Sequence, residues 1–578
     1  MPKRRSPISD LQSFLSSSFF LLVLLTACVS PTSIVAPSTP TASPLPTLVV
    51  VTPIPPSPTP LPSPTPGPVT FTLALPAAPG TLDPANAADS SALLITRHLY
   101  EGLTRFEPGT TRVLPALAES WETTGAITWT FRLRTGVTFS DGTPLTAELA
   151  ARNFERWQTR TPPGNYAYFR LMFGGFAGQT DETGAPLSNL KVITATSPVS
   201  LTLVLNRPDA TLPNTLAMPS FALVNPTAFT PGPSLGGRRG AFGTPGAPSA
   251  GTGPFVLKAW RENLIELERN PNYWGTPASP DGLIFKIIPD AVQRLTALQV
   301  GEVDGLAALS PQHYNVAESW PIRVEFSPPL PVLYLGFNQA RAPWNNLDCR
   351  LAVAHALDRD RYVREFFPGD AERADTLQPD ATLTETWTPD VEKARALWEG
   401  CTRTERGRPH LNLNLYVPPI ARDYAPDPAG LGAAIQADLA AAGITVTVQS
   451  PDWTTQYLPD VQAGRADLFL LGWFAPNGDP DGSLCPLFCG RNAAFNSDNT
   501  GLPLPPDETL AQLLRQARAA TDPVLREALY AQAHRRIFET VPAIPIAKRK
   551  TAWAFRNDLT GAVLGPLEAV FFGLKLTR

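Results

Sequence analysis

Histidine is scarce in this chain, which has only five histidines among its 578 residues. They are scattered, and none lies in the H-E-x-x-H spacing of zinc hydrolases. The phosphate-binding pattern G-x-x-x-x-G-K-[ST] is also missing. Cys485 and Cys489 stand close together, but two ligands do not make a zinc site. The sequence therefore predicts no metal site and no bound cofactor.

An excess of basic charge is missing as well. The 47 lysines and arginines are opposed by 51 acidic residues, and the net charge of −4 gives no electrostatic reason to expect nucleic acid as a partner. Long apolar runs are also lacking, because Phe19–Leu25 is too short to span a bilayer. The chain is nevertheless too long for a single hydrophobic core, so we expect two or more lobes.

The N-terminus has the features of an export signal. Lys3, Arg4 and Arg5 form a basic start, and the apolar run that follows ends in Leu-Thr-Ala-Cys28. Small residues before a cysteine are similar to a bacterial lipobox, which implies cleavage before Cys28 and acylation of that residue. Several acyl chains would make a stable membrane anchor. The alternative is an ordinary secretory signal in which Cys28 is incidental.

Proline is abundant, with 65 residues, and it is concentrated near the N-terminus. Residues 28–68 include the run TPIPPSPTPLPSPTPGP. Proline fixes φ and removes backbone donors, so this segment cannot build a packed core. We predict a semi-rigid spacer that lifts the folded part away from the membrane.

Four cysteines remain in the rest of the chain. In an exported protein an even number favours disulfides, and four cysteines allow three connectivities. We favour Cys349 with Cys401, and Cys485 with Cys489, where the second pair would bridge a helical turn or a tight loop. Free buried thiols are the alternative.

A strand, a turn and a helix follow one another in the first third of the chain. Trp129–Arg134 alternates apolar and polar residues, as a half-buried strand does. Thr146 can cap a helix. The helix would bury one face, because its apolar side chains recur at helical spacing at Ala150, Phe154 and Trp157.

This stretch resembles the family 5 extracellular solute-binding proteins of ABC importers. The matching pieces are YEGL at 100–103, LPALAESW at 114–121 and FRLRTGVTFSDGTPLTAEL at 131–149. GTGPF at 251–255 and NPNYWG at 270–275 are similar to the family too. The resemblance implies an α/β fold of the two-lobed, type II periplasmic-binding-protein kind, with a cleft between the lobes and an extra subdomain in lobe one.

The resemblance also implies a domain order. Phe285–Pro289 would be the first hinge strand into lobe two, and the tail after Trp553 would rejoin lobe one. The predicted segments are a signal peptide at 1–27, a lipid-anchored linker at 28–68, the first part of lobe one at 69–280, lobe two at 281–549 and the return to lobe one at 550–578.

The candidate binding residues follow an apolar strand, ADLFLLGW, which ends at Trp473. Strand, helix and strand between Ile444 and Trp473 predict a parallel sheet covered on both faces, and ligands bind beyond the carboxyl ends of such strands. We therefore predict ligand contacts from Trp473, Asn477, Asp479 and Asp481, although the segment could also be a plain surface turn.

A second loop, residues 80–90, is assigned to the ligand site by the resemblance alone. Asp89 and Ser90 are its candidate contacts, and a plain surface turn is the alternative. One departure from the family also bears on the ligand. Peptide binders of the family hold the amino terminus of the ligand with an aspartate a few residues after the tryptophan, and Pro476 occupies that place here. Proline offers neither charge nor a side-chain hydrogen bond.

The resemblance implies an extracytoplasmic, membrane-anchored monomer that captures a small peptide-like solute and delivers it to an ABC permease, without catalysis. A binding module that serves a sensor or a scavenger would have the same site. A secreted hydrolase is a weaker alternative. Its only motif is Gly232-Pro233-Ser234-Leu235-Gly236, which lacks the preceding strand and following helix that a nucleophile elbow needs.

Overall fold

The fold is that of a computed structural model, which describes residues 68–161, 163–229, 242–247, 249–403, 411–490, 494–496 and 505–577. Cys28, the leader, nearly all of the linker and Ser234 lie outside these residues. The chain from Pro66 onward forms one compact unit. Within it, two large sheets form the centres of two lobes.

The first lobe is built on a seven-stranded sheet with the order β12-β19-β11-β1-β10-β9-β8. Its strands are β1 (Thr70–Leu75), β8 (Phe255–Arg261), β9 (Leu264–Arg269), β10 (Gly282–Ile287), β11 (Gly305–Leu306), β12 (Ile322–Phe326) and β19 (Ala552–Arg556). The helices associated with it are α1 (Ser90–Leu99), α5 (Pro226–Phe229), α6 (Ala291–Gln299) and α7 (Tyr314–Glu318). β1 is central and pairs in parallel with both β10 and β11.

A four-stranded antiparallel sheet forms the subdomain of the first lobe. Its strands are β4 (Ala118–Thr124), β5 (Thr128–Leu133), β6 (Leu190–Ser197) and β7 (Ser200–Leu205). Around it lie α2 (Ala147–Thr159), α3 (Ala167–Phe173), α4 (Leu212–Leu216) and the hairpin of β2 (Thr104–Phe106) and β3 (Val113–Pro115). Thr146 caps α2, as predicted, by accepting a 3.3 Å hydrogen bond from Leu149 N.

The second lobe is built on a six-stranded sheet with the order β14-β18-β13-β17-β15-β16. Its strands are β13 (Val332–Phe337), β14 (Ala371–Arg373), β15 (Leu413–Tyr416), β16 (Val446–Gln449), β17 (Leu468–Trp473) and β18 (Ala543–Arg549). Its helices are α8 (Leu347–Ala356), α9 (Arg359–Phe366), α10 (Val391–Thr402), α11 (Pro428–Ala441), α12 (Leu458–Gln462), α13 (Pro480–Phe488), α14 (Glu508–Ala519) and α15 (Pro523–Thr540).

Helices cover both faces of this sheet, and β13 shows why its sequence is continuously apolar. Leu333, Leu335 and Phe337 enter one core, whereas Tyr334 enters the core on the opposite face. Successive side chains of a strand point to opposite faces, so every position of β13 is buried. The sheet is mixed rather than purely parallel, because β13 runs antiparallel to β17 and β18.

The predicted lobe boundary at residue 281 is wrong. β10 pairs with β1 in the first sheet, and β11 and β12 belong to that sheet as well. The chain enters the second sheet only between Phe326 and Val332, and it returns between Arg549 and Ala552. The two crossing segments are bonded to each other, since Ser327 N donates to Thr551 O at 3.0 Å.

The distant motifs of the first lobe meet at the carboxylate of one half-buried residue, Glu101. Glu101 accepts hydrogen bonds from Thr252 Oγ1 at 2.9 Å, Tyr273 Oη at 2.9 Å and Trp274 Nε1 at 2.7 Å. YEGL, GTGPF and NPNYWG are therefore parts of one network. Its role is structural, because it satisfies an acid that is removed from water.

The C-terminal residues add two short hairpins. They are β20 (Leu559–Thr560) with β23 (Lys575–Leu576), and β21 (Val563–Leu564) with β22 (Ala569–Val570). Shorter helical turns lie at Pro219–Phe221, Pro311–His313 and Trp453–Tyr457. Among the described helices, none is both long and apolar enough to cross a bilayer.

Candidate ligand-binding site

The loop that follows β17 lies at the edge of the second sheet where the parallel strands β15, β16 and β17 end. We call residues 473–481 the β17 loop. Its first residue, Trp473, is half-buried, and Trp473 Nε1 donates to Gly482 O at 3.0 Å. The indole thereby ties the end of β17 to the first turn of α13.

The two carboxylates of the β17 loop are occupied by arginines of the same lobe. Asp479 makes a bidentate pair with Arg526, at 2.6 and 2.8 Å, and Asp479 Oδ1 also accepts from Asp481 N at 2.9 Å. Asp481 Oδ2 accepts from Arg518 at 2.5 and 2.9 Å. Both acids are buried. Their geometry shows helix capping and charge pairing rather than acids held ready for a solute.

Burial dominates the electrostatics of Asp481. Removal from water raises the pKa of this carboxyl to about 6, and the neighbouring Arg518 opposes that rise. Asp481 Oδ1 is buried and has no hydrogen-bond partner among the described residues.

The centre of the β17 loop touches the first lobe. Asn477 is completely buried, its Nδ2 lies 3.5 Å from Thr215 Oγ1, and its carbonyl accepts from Asn214 Nδ2 at 3.3 Å. At Gly478, which has φ of +65°, an added Cβ would lie 2.7 Å from Leu567 Cδ1 and 2.9 Å from Thr111 Cβ. The predicted residue Asn477 therefore makes a contact between the lobes.

A second contact between the lobes lies at the end of α14. Ala210 N, in the first lobe, donates to Arg518 O at 2.7 Å. Asp209 is buried beside this contact, and burial raises its pKa although Arg518 acts in the opposite direction. Arg518 thus serves both lobes, through its carbonyl and through its charge.

Asp89 and Ser90 lie at the start of α1. Asp89 caps this helix by accepting from Ala92 N at 2.7 Å, and it also accepts from Gly80 N at 3.0 Å. Both residues are exposed. Burial raises the pKa of Tyr168 on α3, and the charge of Asp89 adds to this effect. The structure gives Asp89 a local capping role, and contact with a solute stays a prediction.

Sequence reasoning missed a cationic group at the same sheet edge. Arg422 follows β15, and its guanidinium carbon lies 3.7 Å from the ring centre of Trp453. Arg422 Nε is buried and has no hydrogen-bond partner among the described residues. Burial raises the pKa of Tyr424 to about 12. The position of Arg422 just after a strand is the signal that could have identified it. Because β15 is parallel to β17, the loop after β15 reaches the same sheet edge.

A cavity of about 600 Å³ lies between the lobes and adjoins the β17 loop through Arg518, the partner of Asp481; none of residues 473–481 is among its described lining residues. Its first-lobe wall is α3, which contributes Ala167, Arg170 and Leu171, and its second-lobe wall includes α13 and Arg518. The volume is within the range of small-molecule sites. A second cavity, of about 320 Å³, lies within the second lobe and includes Leu487 and Phe495 in its lining.

The four described cysteines form two disulfides, Cys349–Cys401 and Cys485–Cys489, with Cα–Cα distances of 5.6 and 4.6 Å. These are the pairs that the sequence favoured. The first joins α8 to α10, and the second closes the end of α13 against the inter-lobe cavity. Within the described residues, no group of three or more His, Cys, Asp or Glu side chains is placed to hold a metal ion.

Comparison with known proteins now gives the family. Residues 112–495 match the family described as "Bacterial extracellular solute-binding proteins, family 5 Middle". The chain belongs to this family. Its members capture small solutes outside the cytoplasm for ABC transporters and are not enzymes, so the expected fold class, family and non-catalytic role are confirmed.

Two characterised relatives in the family carry peptide-related names. Di/tripeptide-binding protein 4 of Pseudomonas aeruginosa is 31% identical over 506 residues, which cover 84% of this chain and 89% of the relative. The dipeptide-binding protein of Escherichia coli is 29% identical, with 81% of this chain and 87% of the relative covered.

Solved structures show the same architecture. HbpA2 from Haemophilus parasuis superposes with a TM-score of 0.76 at 25% identity, over 88% of this chain and 100% of that chain. The dipeptide-binding protein from Pseudoalteromonas sp. SM9913 in complex with Met-Leu gives a TM-score of 0.67 at 24% identity, over 88% and 100% of the two chains.

Proposed function

We propose that this family 5 protein is a lipid-anchored monomer that captures a small peptide or peptide-like solute between its lobes and presents it to an ABC permease. The observation that carries the proposal is the β17 loop, which touches the first lobe through Asn477 and Gly478 beside an inter-lobe cavity. The relatives named as di- and tripeptide-binding proteins support the choice of solute class.

Capture needs a solute that contacts both lobes. In the part of the chain that the structure describes, two short segments cross between the sheets, so a rotation about residues 327–331 and 550–551 would open the cavity. A solute stabilises the closed arrangement only to the extent that it binds that arrangement more tightly than the open one. Side chains of α3 in the first lobe, and of α13 and Arg518 in the second, line the cavity and are the groups placed to supply this difference.

Arg422 supports a solute that carries a carboxylate. Its Nε is a buried donor that no described residue accepts from, and an unpaired buried donor is unfavourable until an acceptor arrives. A carboxylate also matches the planar guanidinium. We assign the acidic end of the solute to this position.

The amino end of an ordinary peptide finds no free acid in the β17 loop. Pro476 has no side-chain acceptor, and Asp479 and Asp481 are paired with Arg526 and Arg518. We therefore propose that a free α-amino group adds little to binding, and that N-acetylated peptides bind about as well as free ones.

The test is a ligand screen of the chain from residue 69 onward by native mass spectrometry and thermal shift. The panel holds di- and tripeptides, their N-acetylated forms, sugars and metal chelates. A solute at about 100 times its Kd should stabilise the protein by roughly 2.7 kcal/mol. Binding of sugars or chelates without any peptide would contradict the peptide assignment, and a strong loss on N-acetylation would contradict the proposal about the amino end.

The lipid anchor is tested separately with the full-length chain. Acylation of Cys28 predicts that the protein fractionates with membranes and that Cys28→Ser releases it. Equal membrane association of the two chains would contradict the anchor.

A further inference from the structure

The inter-lobe cavity has an unusual balance of charge. Among the described residues that line it there are two arginines, Arg170 from α3 and Arg518 from the end of α14, and no acidic side chain. The remaining lining is apolar and includes Leu171 and the two cysteines of the α13 disulfide. A cavity with this lining suits an anionic group carried on a short aliphatic chain.

Only one of the two guanidinium charges is neutralised. Arg518 uses Nε and Nη2 to bind Asp481, whereas Arg170 forms no ion pair with any described residue. Arg170 is exposed, and it belongs to the first lobe because its helix packs through Phe169 and Phe173 into the subdomain core. Among the described lining residues, the guanidinium of Arg170 on the first-lobe wall is therefore the charge without an ionic partner.

We propose that this cavity binds a carboxylate of the solute, with Arg170 as the contact from the first lobe and Arg518 as the contact from the second. The proposal rests on the proposed function and refines it: the solute is an acidic one, with a negative charge in addition to the carboxylate assigned to Arg422. Because the two arginines lie on opposite lobes, a carboxylate between them is bound more tightly when the lobes are closed.

The experiment compares matched acid and amide probes by calorimetry. The pairs are Ala-Glu with Ala-Gln, and glutarate with glutaramide, each at low and at high salt. We expect the wild-type chain to bind the acid of at least one pair about tenfold more tightly than the amide, with a smaller preference at high salt. Arg170→Gln should reduce this preference to within about twofold, and Arg170→Lys should keep part of it, because lysine retains the charge but not the planar fork.

Arg364→Gln is the matched control. Arg364 is an exposed arginine on α9 in the other lobe, so this variant makes the same change in charge outside the cavity and should keep the full preference. Both substitutions are at exposed positions, and unchanged unfolding curves verify that the variants fold.

The possible outcomes separate the two proposals. Tight binding of Ala-Gln without preference for Ala-Glu would overturn the acidic-solute proposal and leave peptide capture standing. Binding of glutarate but of no peptide, with loss in Arg170→Gln, would support the anionic cavity and overturn peptide capture. An acid preference that survives Arg170→Gln, or no binding of any acidic probe, would overturn the cavity assignment.

Discussion

The contacts of the His98 side chain in the folded protein require its imidazole to be neutral. It is fully buried on α1, its Nδ1 lies 2.8 Å from Leu94 O, and its Nε2 accepts from Phe571 N at 3.2 Å. The ring also stacks on Phe571 at a centroid distance of 5.6 Å. A proton on Nε2 would point at the backbone N–H of Phe571, which now donates to that nitrogen. The imidazole is therefore neutral in the folded chain.

His98 predicts a loss of stability in acid. Burial lowers its pKa from 6.5 to about 3, so the unfolded chain binds a proton between these values while the folded chain does not. The stabilisation is complete above pH 6.5 and is lost as the pH falls. Between pH 7 and pH 5 this one group should lower the free energy of unfolding by about 2 kcal/mol.

The measurement is urea unfolding of wild type and His98→Gln at both pH values. Glutamine keeps a polar side chain but does not titrate in this range. The stability difference between the two proteins should therefore shrink by about 2 kcal/mol at pH 5. A constant difference would show that the pKa of His98 is the same in the folded and the unfolded chain.

Residue roles in the β17 loop were only partly predictable. The position of Trp473, Asn477, Asp479 and Asp481 at the end of a buried strand follows from the sequence pattern. Their partners do not, because the arginines that neutralise the two acids come 37 and 47 residues later in the chain. A local pattern cannot show that a carboxylate is already paired.

At the scale of single elements, the two disulfides act on very different lengths of chain. Cys349–Cys401 spans 52 residues and joins two helices, whereas Cys485–Cys489 spans 4 residues at the end of α13. If disulfides stabilise a protein by lowering the conformational entropy of the unfolded chain, the disulfide that closes the longer loop contributes more stability.

Removing each disulfide tests this account. On the chain-entropy relation, replacing Cys349 and Cys401 together by alanine should lower the free energy of unfolding by about 4 kcal/mol, and the same change at Cys485 and Cys489 by about 2 kcal/mol. Denaturant unfolding measures both. An equal or larger loss for the second pair would indicate that this bond holds the cavity wall in place rather than restricting the unfolded chain.

Elements were easier to predict from the sequence than their assignment to a sheet. β5 and the cap of α2 lie within one residue of their predicted positions, since alternation and capping are local signals. β10 was expected to lead into the second lobe, but it pairs with β1 and β9 instead. A strand of alternating or apolar residues looks the same whichever sheet it joins, so its partners cannot be deduced from its own residues.

At the scale of the whole molecule, Gly478 lets the lobes approach. Its positive φ favours glycine, and Thr111 and Leu567 of the first lobe leave no room for a Cβ. Gly443 is a matched control, because it has φ of +79° and nothing within 4 Å of an added Cβ.

Alanine at the two glycines should therefore have different effects. Each variant should lose about 1 kcal/mol of stability through its positive φ. Only Gly478→Ala should also weaken binding of the best peptide from the screen, by about tenfold or more, because the closed state is obstructed. Calorimetry measures the affinity, and small-angle scattering measures the decrease in the radius of gyration on binding. Equal affinities in the two variants would show that the lobes need not meet at this loop.

The strands β18 and β19 come late in the chain, and each large sheet needs one of them. Each is an interior strand, β18 between β14 and β13, and β19 between β12 and β11, and both come after residue 542. Neither sheet is therefore complete until the last tenth of the chain has been synthesised. Pairings over such sequence distances form slowly. The four-stranded sheet of the subdomain has all its strands by residue 205, whereas both large sheets wait for these two late strands and are completed together.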